Sequence, residues 1–225
     1  MHKSAIFPEV TQRAKERRGP EHVYDAVDGR KSALVVIDMQ NNWVMEGQPG
    51  YAAGCVDIVP NINRLAQALR AAGGLVVWVQ MDGSPKAQAD WQRFRDFFPG
   101  DELFRRWSEA LTPGGLGFEL WADLDVEPGD ARVVKTRYSA FIQGSSDLDD
   151  LLTKRGFDTV IVVGTATNVC CESTARDANM LNFKTIMVSD GNATRSDAEH
   201  NATLSNLFGL FADVMTTDEI VARLE

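Results

Sequence analysis

Ala33-Leu-Val-Val-Ile37, Leu75-Val-Val-Trp-Val79 and Thr159-Val-Ile-Val-Val163 are short runs that are apolar on both faces of an extended chain. A strand with one wet face alternates polar and apolar residues. Runs without that alternation suit a parallel sheet covered by helices on both sides. Residues 131–134, 184–188 and 212–215 add three further strand candidates. Between them lie helical patterns. Pro60–Ala72 sets Ile62, Leu65, Ala66 and Leu69 along one stripe and stops at Gly73-Gly74. Ser146 can cap a helix running through Lys154, with Gly156 just past its end. Helices are also expected over about 169–181 and 196–208, with a short one closing the chain. Strand and helix alternating in this way mean βαβ units with right-handed crossovers, an α/β chain in three layers.

Two segments stand outside this pattern. Residues 1–30 are polar and, with Pro8, Gly19 and Pro20 as breakers, read as an irregular arm packed on the domain or on a neighbouring subunit. The remaining residues, 31–225, form one domain. Its segment 81–130 is rich in aromatics, among them Trp91, Phe94, Phe97, Phe98, Phe104 and Trp107. Such a connection suggests packed loops over a pocket or a subunit interface, without deciding between them.

Composition removes several classes of function. The formal net charge is −9, which disfavours a nucleic-acid or anionic-membrane surface. The one basic cluster, Arg13–Arg18, reads as a solvated helix face. No segment reaches the ~18 unbroken apolar residues of a membrane span, and the first residues lack the apolar stretch of a secretion signal. Three cysteines without Cys-x-x-Cys spacing indicate neither a disulfide framework nor a zinc ribbon, so a cytoplasmic setting is expected. Gly-x-Gly-x-x-Gly, the P-loop and Gly-x-Ser-x-Gly are absent, and no cofactor is called for. Only three histidines exist. His2 is terminal, His22 lies in the arm, and His200 falls mid-helix, where a surface or partner-contact role is expected. That shortage also disfavours catalytic zinc and histidine-based triads.

In open α/β sheets the reactive crevice lies outside the carboxyl ends of the strands. Asp38 ends the first strand, Lys135 follows the third, and Cys170 opens the helix after the fourth. Alone, each has an ordinary explanation: a turn cap, a surface lysine, a buried helical cysteine. Together at one rim they make a nucleophile, a proton carrier and a charge holder. A helix N-terminus and an ammonium would favour the thiolate. Asp38 would move the proton, and backbone N–H groups of Ala166 and Cys170 would receive an oxyanion. That combination points to acyl transfer from an amide-like substrate to water through a thioester.

The stretches Val35-Val-Ile-Asp-Met-Gln-Asn41, Val133-Val-Lys-Thr-Arg-Tyr-Ser-Ala-Phe141 and Val163-Gly-Thr-Ala-Thr-Asn-Val-Cys-Cys-Glu-Ser-Thr-Ala-Arg-Asp-Ala178 closely resemble those of the isochorismatase-like cysteine hydrolases. The resemblance covers roughly residues 30 to 222. It implies a Rossmann-like fold with about six parallel strands, a Cys-Asp-Lys triad on Cys170, Asp38 and Lys135, and hydrolysis of small amides or ureides. It also implies a cis peptide between Thr165 and Ala166, and a packing role for Cys171. By the same resemblance Trp43 and Tyr138 line the pocket and Asn41 or Asn42 contacts substrate; a packed aromatic and turn-forming asparagines remain the ordinary alternatives. The nicotinamidase metal motif, Asp-x-His after the second strand, is missing from Met81-Asp-Gly-Ser-Pro-Lys86, so no metal is expected. Arg137-Tyr-Ser-Ala-Phe141 looks most like the ureidoacrylate and N-carbamoyl amidohydrolase branch. The expected partners are a small amide or ureide and further copies of the chain, as homodimer or homotetramer. The alternatives are a metal-free hydrolase of another small amide, or a family member that binds a metabolite without hydrolysing it.

Overall fold

The structure, a computed structural model, describes residues 1–225. Six strands, β1 (Ser32–Ile37), β2 (Leu75–Met81), β3 (Ala131–Lys135), β4 (Thr159–Thr165), β5 (Lys184–Ala193) and β6 (Asp213–Met215), form one sheet. Every pairing is parallel and the order is β3-β2-β1-β4-β5-β6. The chain builds outward from β1 to β3, then returns to the other side of β1 with β4. The order therefore reverses between β1 and β4, the place where such sheets open a crevice at their carboxyl ends.

Side chains on the central strands alternate between two cores. Leu34, Val36, Val76, Trp78, Ile161 and Val163 face α3 (Val59–Ala71) and α9 (Thr217–Val221). Ala33, Val35, Ile37, Val77, Val160 and Val162 face α6 (Leu148–Lys154), α7 (Glu172–Met180) and α8 (Asp197–Leu210). All of β1 is buried, as its unbroken apolar run requires. Each large aliphatic side chain so placed contributes roughly 1.5–3 kcal/mol by leaving water.

Residues 1–30 are more regular than the sequence suggested. Pro8 starts helix α1 (Pro8–Arg18) rather than breaking it, because the first helical position needs no N–H. Gly19, at φ 83°, ends it. The Arg13–Arg18 run is not simply solvated: Arg17 and Arg18 donate to the Gly209 and Phe208 carbonyls at the end of α8, and Arg18 lies 4.2 Å over the Phe208 ring. The remaining helices are α2 (Asn41–Val44), α4 (Pro85–Gln88) and α5 (Asp101–Ala110). The aromatic segment runs from a 3₁₀ turn at Gln92–Phe97 into α5.

Gly164 joins sheet to site. It sits at φ 118°, and a Cβ there would meet the Ile37 backbone, 2.8 Å from its nitrogen, on the neighbouring strand. Gly164→Ala is therefore expected to cost about 3–5 kcal/mol, as overpacking and backbone strain combine. Urea denaturation checks this, and a loss below about 1 kcal/mol contradicts the close approach of β1 and β4.

Candidate active site

The three residues picked out at the strand ends meet. Asp38 follows β1 in the left-handed region at φ 51°, its N–H donating to the Val79 carbonyl at 2.9 Å. Asp is one of the few side chains that tolerates this backbone. Lys135 has the longest reach to make. It stands at the end of the outermost strand, level with Met81 of β2, and its chain passes that residue with Nζ 3.6 Å from Met81 Sδ. Nζ then lies 2.9 Å from Asp38 Oδ2, 3.4 Å from Cys170 Sγ and 3.0 Å from the Arg137 carbonyl. Both charged side chains are fully buried. The Lys135–Asp38 contact is therefore an ion pair sealed from water.

Cys170 comes from a turn of π-helix, Thr167–Cys171, that follows β4 and leads into α7. The Val169 and Cys171 N–H groups both donate to the Ala166 carbonyl, while the Ala166 N–H meets no acceptor in the chain. The Thr165–Ala166 peptide is cis. Cys171 is fully buried, in the same core cluster as Ala175 and Ala178 of α7.

Charge and burial set the resting protonation. Burial pushes the Asp38 carboxyl above its ordinary range, with Lys135 opposing it. Burial, the largest single influence, works to lower the Lys135 ammonium, yet the charges and contacts of Asp38 and Cys170 together outweigh it and the group is raised. Burial and then Asp38 push the Cys170 thiol up, and Lys135 offsets only part of this. The sequence had suggested a thiolate favoured by a helix end and an ammonium. Here the π-turn is buried and a carboxylate is near, so the neutral thiol is the resting form. A raised carboxyl is correspondingly the better proton acceptor.

A cavity of about 550 Å³ opens on Cys170, Thr165 and Ala166. Trp43, Tyr138, Phe94, Phe98 and Trp107 make an apolar wall, and Arg195 and Glu199 stand at its exposed side. The aromatic segment thus faces the cavity, one of the two possibilities the sequence left open. Tyr138 packs edge-on against Trp91 at 4.8 Å, and burial raises its hydroxyl's pKa. Asn41 and Asn42 are not part of the lining. Asn41 donates its amide to the Leu116 carbonyl at 2.9 Å, and Asn42 is fully buried behind Gly50. His200, expected at the surface or a partner contact, is fully buried under the site. Arg195, Asn168 and Thr194 were missed from sequence: Thr194 and Arg195 lie on the loop after β5, whose position no periodicity reveals, and Asn168 lies in the π-turn beside Cys170. No three His, Cys, Asp or Glu side chains gather closely enough to hold a metal ion.

The isochorismatase domain model matches residues 32–219. The chain belongs to the isochorismatase family. Within it, the chain is 34% identical over 211 residues to the ureidoacrylate amidohydrolase RutB of Variovorax paradoxus, covering 87% of this chain and 82% of that one. A cysteine hydrolase from Pseudomonas syringae pv. phaseolicola superposes with a TM-score of 0.80 at 31% identity, covering 92% of this chain and 97% of that one. N-carbamoylsarcosine amidase from Thermoplasma acidophilum gives a TM-score of 0.64 at 27% identity over 84% of this chain and 97% of that one. The six-stranded parallel sheet flanked by helices is the family fold, as the motifs implied. No helix of this family member is long and apolar enough to cross a membrane.

Lys135→Met is expected to leave Asp38 buried without its counter-charge, raising its carboxyl further. A carboxyl whose folded pKa exceeds the unfolded value of ~3.9 supports folding fully below that value and loses this support as pH rises through the folded one. The variant should therefore fall behind the parent by about 3–5 kcal/mol at pH 8 and by clearly less at pH 5. Equal deficits in urea denaturation at the two pH values contradict the buried pair.

Proposed function

We propose that the chain is a metal-independent cysteine amidohydrolase that cleaves a small amide, carbamoyl or ureido compound through a thioester. The observation that carries this reading is the meeting of Asp38, Lys135 and Cys170 around one ammonium, with Nζ 2.9 Å from the carboxylate and 3.4 Å from the sulfur, at the floor of the cavity. The names of the amidohydrolase relatives support it.

Asp38 accepts the Cys170 proton as sulfur attacks the substrate carbonyl. Lys135 stays charged, holding the carboxylate in place and offsetting the new negative charge on sulfur. The tetrahedral oxyanion is received by the Ala166 and Cys170 N–H groups, each donor contributing ~2.7–4 kcal/mol to lowering the barrier. Asp38 then returns the proton to the departing nitrogen, which leaves as ammonia. Water, deprotonated by Asp38, attacks the thioester and frees Cys170. With a ureide, R–NH–CO–NH2, the same steps leave a thiocarbamate on sulfur. Its hydrolysis gives a carbamic acid that loses carbon dioxide, leaving the amine.

The cavity adds a selection rule. Trp43 and Tyr138, in the same lining as Cys170, offer flat apolar surface to a substrate. Arg195 is the one cation in the lining and makes no ion pair, so substrates bearing a carboxylate are favoured.

Ammonia release from a panel of ureides and N-carbamoyl acids is expected to fall by about a thousandfold or more in Cys170→Ala, and to be unchanged by EDTA dialysis. Turnover equal to the parent's in the cysteine variant ends the nucleophile assignment; loss on chelation ends metal independence. Separately, Arg195→Ala should raise KM for carboxylated substrates by about tenfold with kcat little altered, in line with a lost charged hydrogen bond. An unchanged KM contradicts the carboxylate contact.

A further inference from the structure

The amino-terminal residues lie far in sequence from the sulfur but are tied to the turn that carries it. They run along α8 in an extended path. The Ala5 N–H donates to Asn201 Oδ1 at 2.9 Å, Asn201 donates back to the Lys3 carbonyl at 3.1 Å, and the Phe7 N–H donates to Ser205 Oγ at 2.9 Å. This places His2 flat on His200, ring centroids 4.6 Å apart and planes 21° from parallel.

Each ring then reaches a different part of the site. His200 Nε2 lies 3.0 Å from the Ser189 carbonyl, which can only accept, so Nε2 carries the hydrogen. Nδ1 is therefore the acceptor and takes the Thr167 hydroxyl at 3.0 Å. Thr167 is the first residue of the π-turn, directly after Ala166 and three before Cys170. Ser4 Oγ braces the other side, 3.1 Å from Nε2 and donating to the Ser189 carbonyl at 2.9 Å. Burial, with His2 beside it, lowers the His200 pKa to about 4, keeping the ring neutral and this hydrogen-bond polarity fixed at ordinary pH. His2 in turn pairs through Nδ1 with Asp197 at 2.8 Å, and its Nε2 sits against the Thr194 backbone, 3.0 Å from the nitrogen and 3.1 Å from the carbonyl oxygen. The Thr194 hydroxyl donates to Asn168 Oδ1 at 2.6 Å, and both residues line the cavity. Thr167 and Asn168 are thus gripped from two sides by one stacked pair of rings.

We propose that His2 and His200 are positioning residues: the amino-terminal segment braces the turn that aims the oxyanion-binding N–H groups of Ala166 and Cys170. This rests on the reading of Cys170 as nucleophile. Neither histidine touches the reacting atoms, and neither moves a proton. Their effect falls on the step in which negative charge develops on a carbonyl oxygen, because donor direction matters there. It does not fall on the nucleophilicity of the sulfur, which Asp38 and Lys135 govern.

Two reactions of the same sulfur separate these effects. Acylation by p-nitrophenyl acetate, followed as a p-nitrophenolate burst, passes through an oxyanion; alkylation by iodoacetamide, located at Cys170 by peptide mass, does not. His2→Ala and Thr167→Val are expected to slow acylation at least tenfold while alkylation stays within twofold of the parent. Thr167→Ser, which keeps the hydroxyl, should restore acylation to within threefold. Acylation and alkylation falling together in His2→Ala and Thr167→Val would mean a general structural role, and neither falling would mean no role. Either result overturns the brace. A parent protein that alkylates but never acylates at Cys170 would instead overturn the nucleophile reading, and the brace with it.

Discussion

A lysine and an aspartate sealed from water hold one another at the carboxyl edge of the sheet, and the layout of the site follows from that contact. Neither charge is tolerable there alone, since an unpaired buried ion carries a penalty of several kcal/mol. The pair forces its neighbours into place. Asp38 takes a left-handed backbone to present its carboxylate, and Lys135 spans the end of β2 from the sheet's outermost strand. Strands lie about 4.8 Å apart, so two inter-strand steps need the full length of a lysine side chain. A shorter cation on β3 would leave the carboxylate unpaired.

The pair also explains why the sulfur need not rest as a thiolate. A thiolate beside Asp38 would put two negative charges on one ammonium in a low-dielectric site. Burial and Asp38 raise the thiol together, and burial raises the carboxyl. In the mechanism we propose, one proton serves both groups, and moving it from sulfur to carboxylate leaves a single negative charge beside Lys135. Net charge at the floor would then be conserved, which suits a cavity whose apolar wall can do little to solvate a second charge.

Much of the fold was legible because strands buried on both faces lose alternation and become plain apolar runs. β1, β2 and β4 are such runs; edge strand β3 keeps an alternating burial, and the crevice rule then brought Asp38, Lys135 and Cys170 to one rim. The ends were less legible. β5 continues to Ala193 through Ser189, Asp190 and Gly191, where polar residues hide a bulge bridged by Asn192, which donates to the Val162 and Val188 carbonyls. Pro8 looked like a breaker because its effect depends on position within a helix, not on its presence. Asn41 and Asn42 follow Asp38 closely in sequence, yet the left-handed turn sends them beneath the cavity rather than into it. His200 was misplaced because a lone polar residue on a helix reads as solvated unless its partners are known, and these come from residues 4, 167 and 189.

Chemistry and selectivity thus draw on different parts of the chain. The charge pair sits at the ends of β1 and β3, and the sulfur in the turn that follows β4, so the parallel sheet sets their spacing. The cavity wall comes largely from α5 and the segment before it, with Trp43 and Tyr138, and Arg137 ties that segment to the floor: its carbonyl accepts from Lys135 Nζ, its guanidinium donates to the Ala87 carbonyl at 3.4 Å and lies 5.3 Å over the Trp91 ring. Loops can be remodelled with little effect on the sheet beneath. A wall so attached can alter which molecule reaches Cys170 while the proton path between sulfur and carboxylate keeps its geometry. That division is physically available only because Lys135, not the wall, neutralises the floor: an active site whose charge balance depended on its lid could not change the lid without losing the reaction.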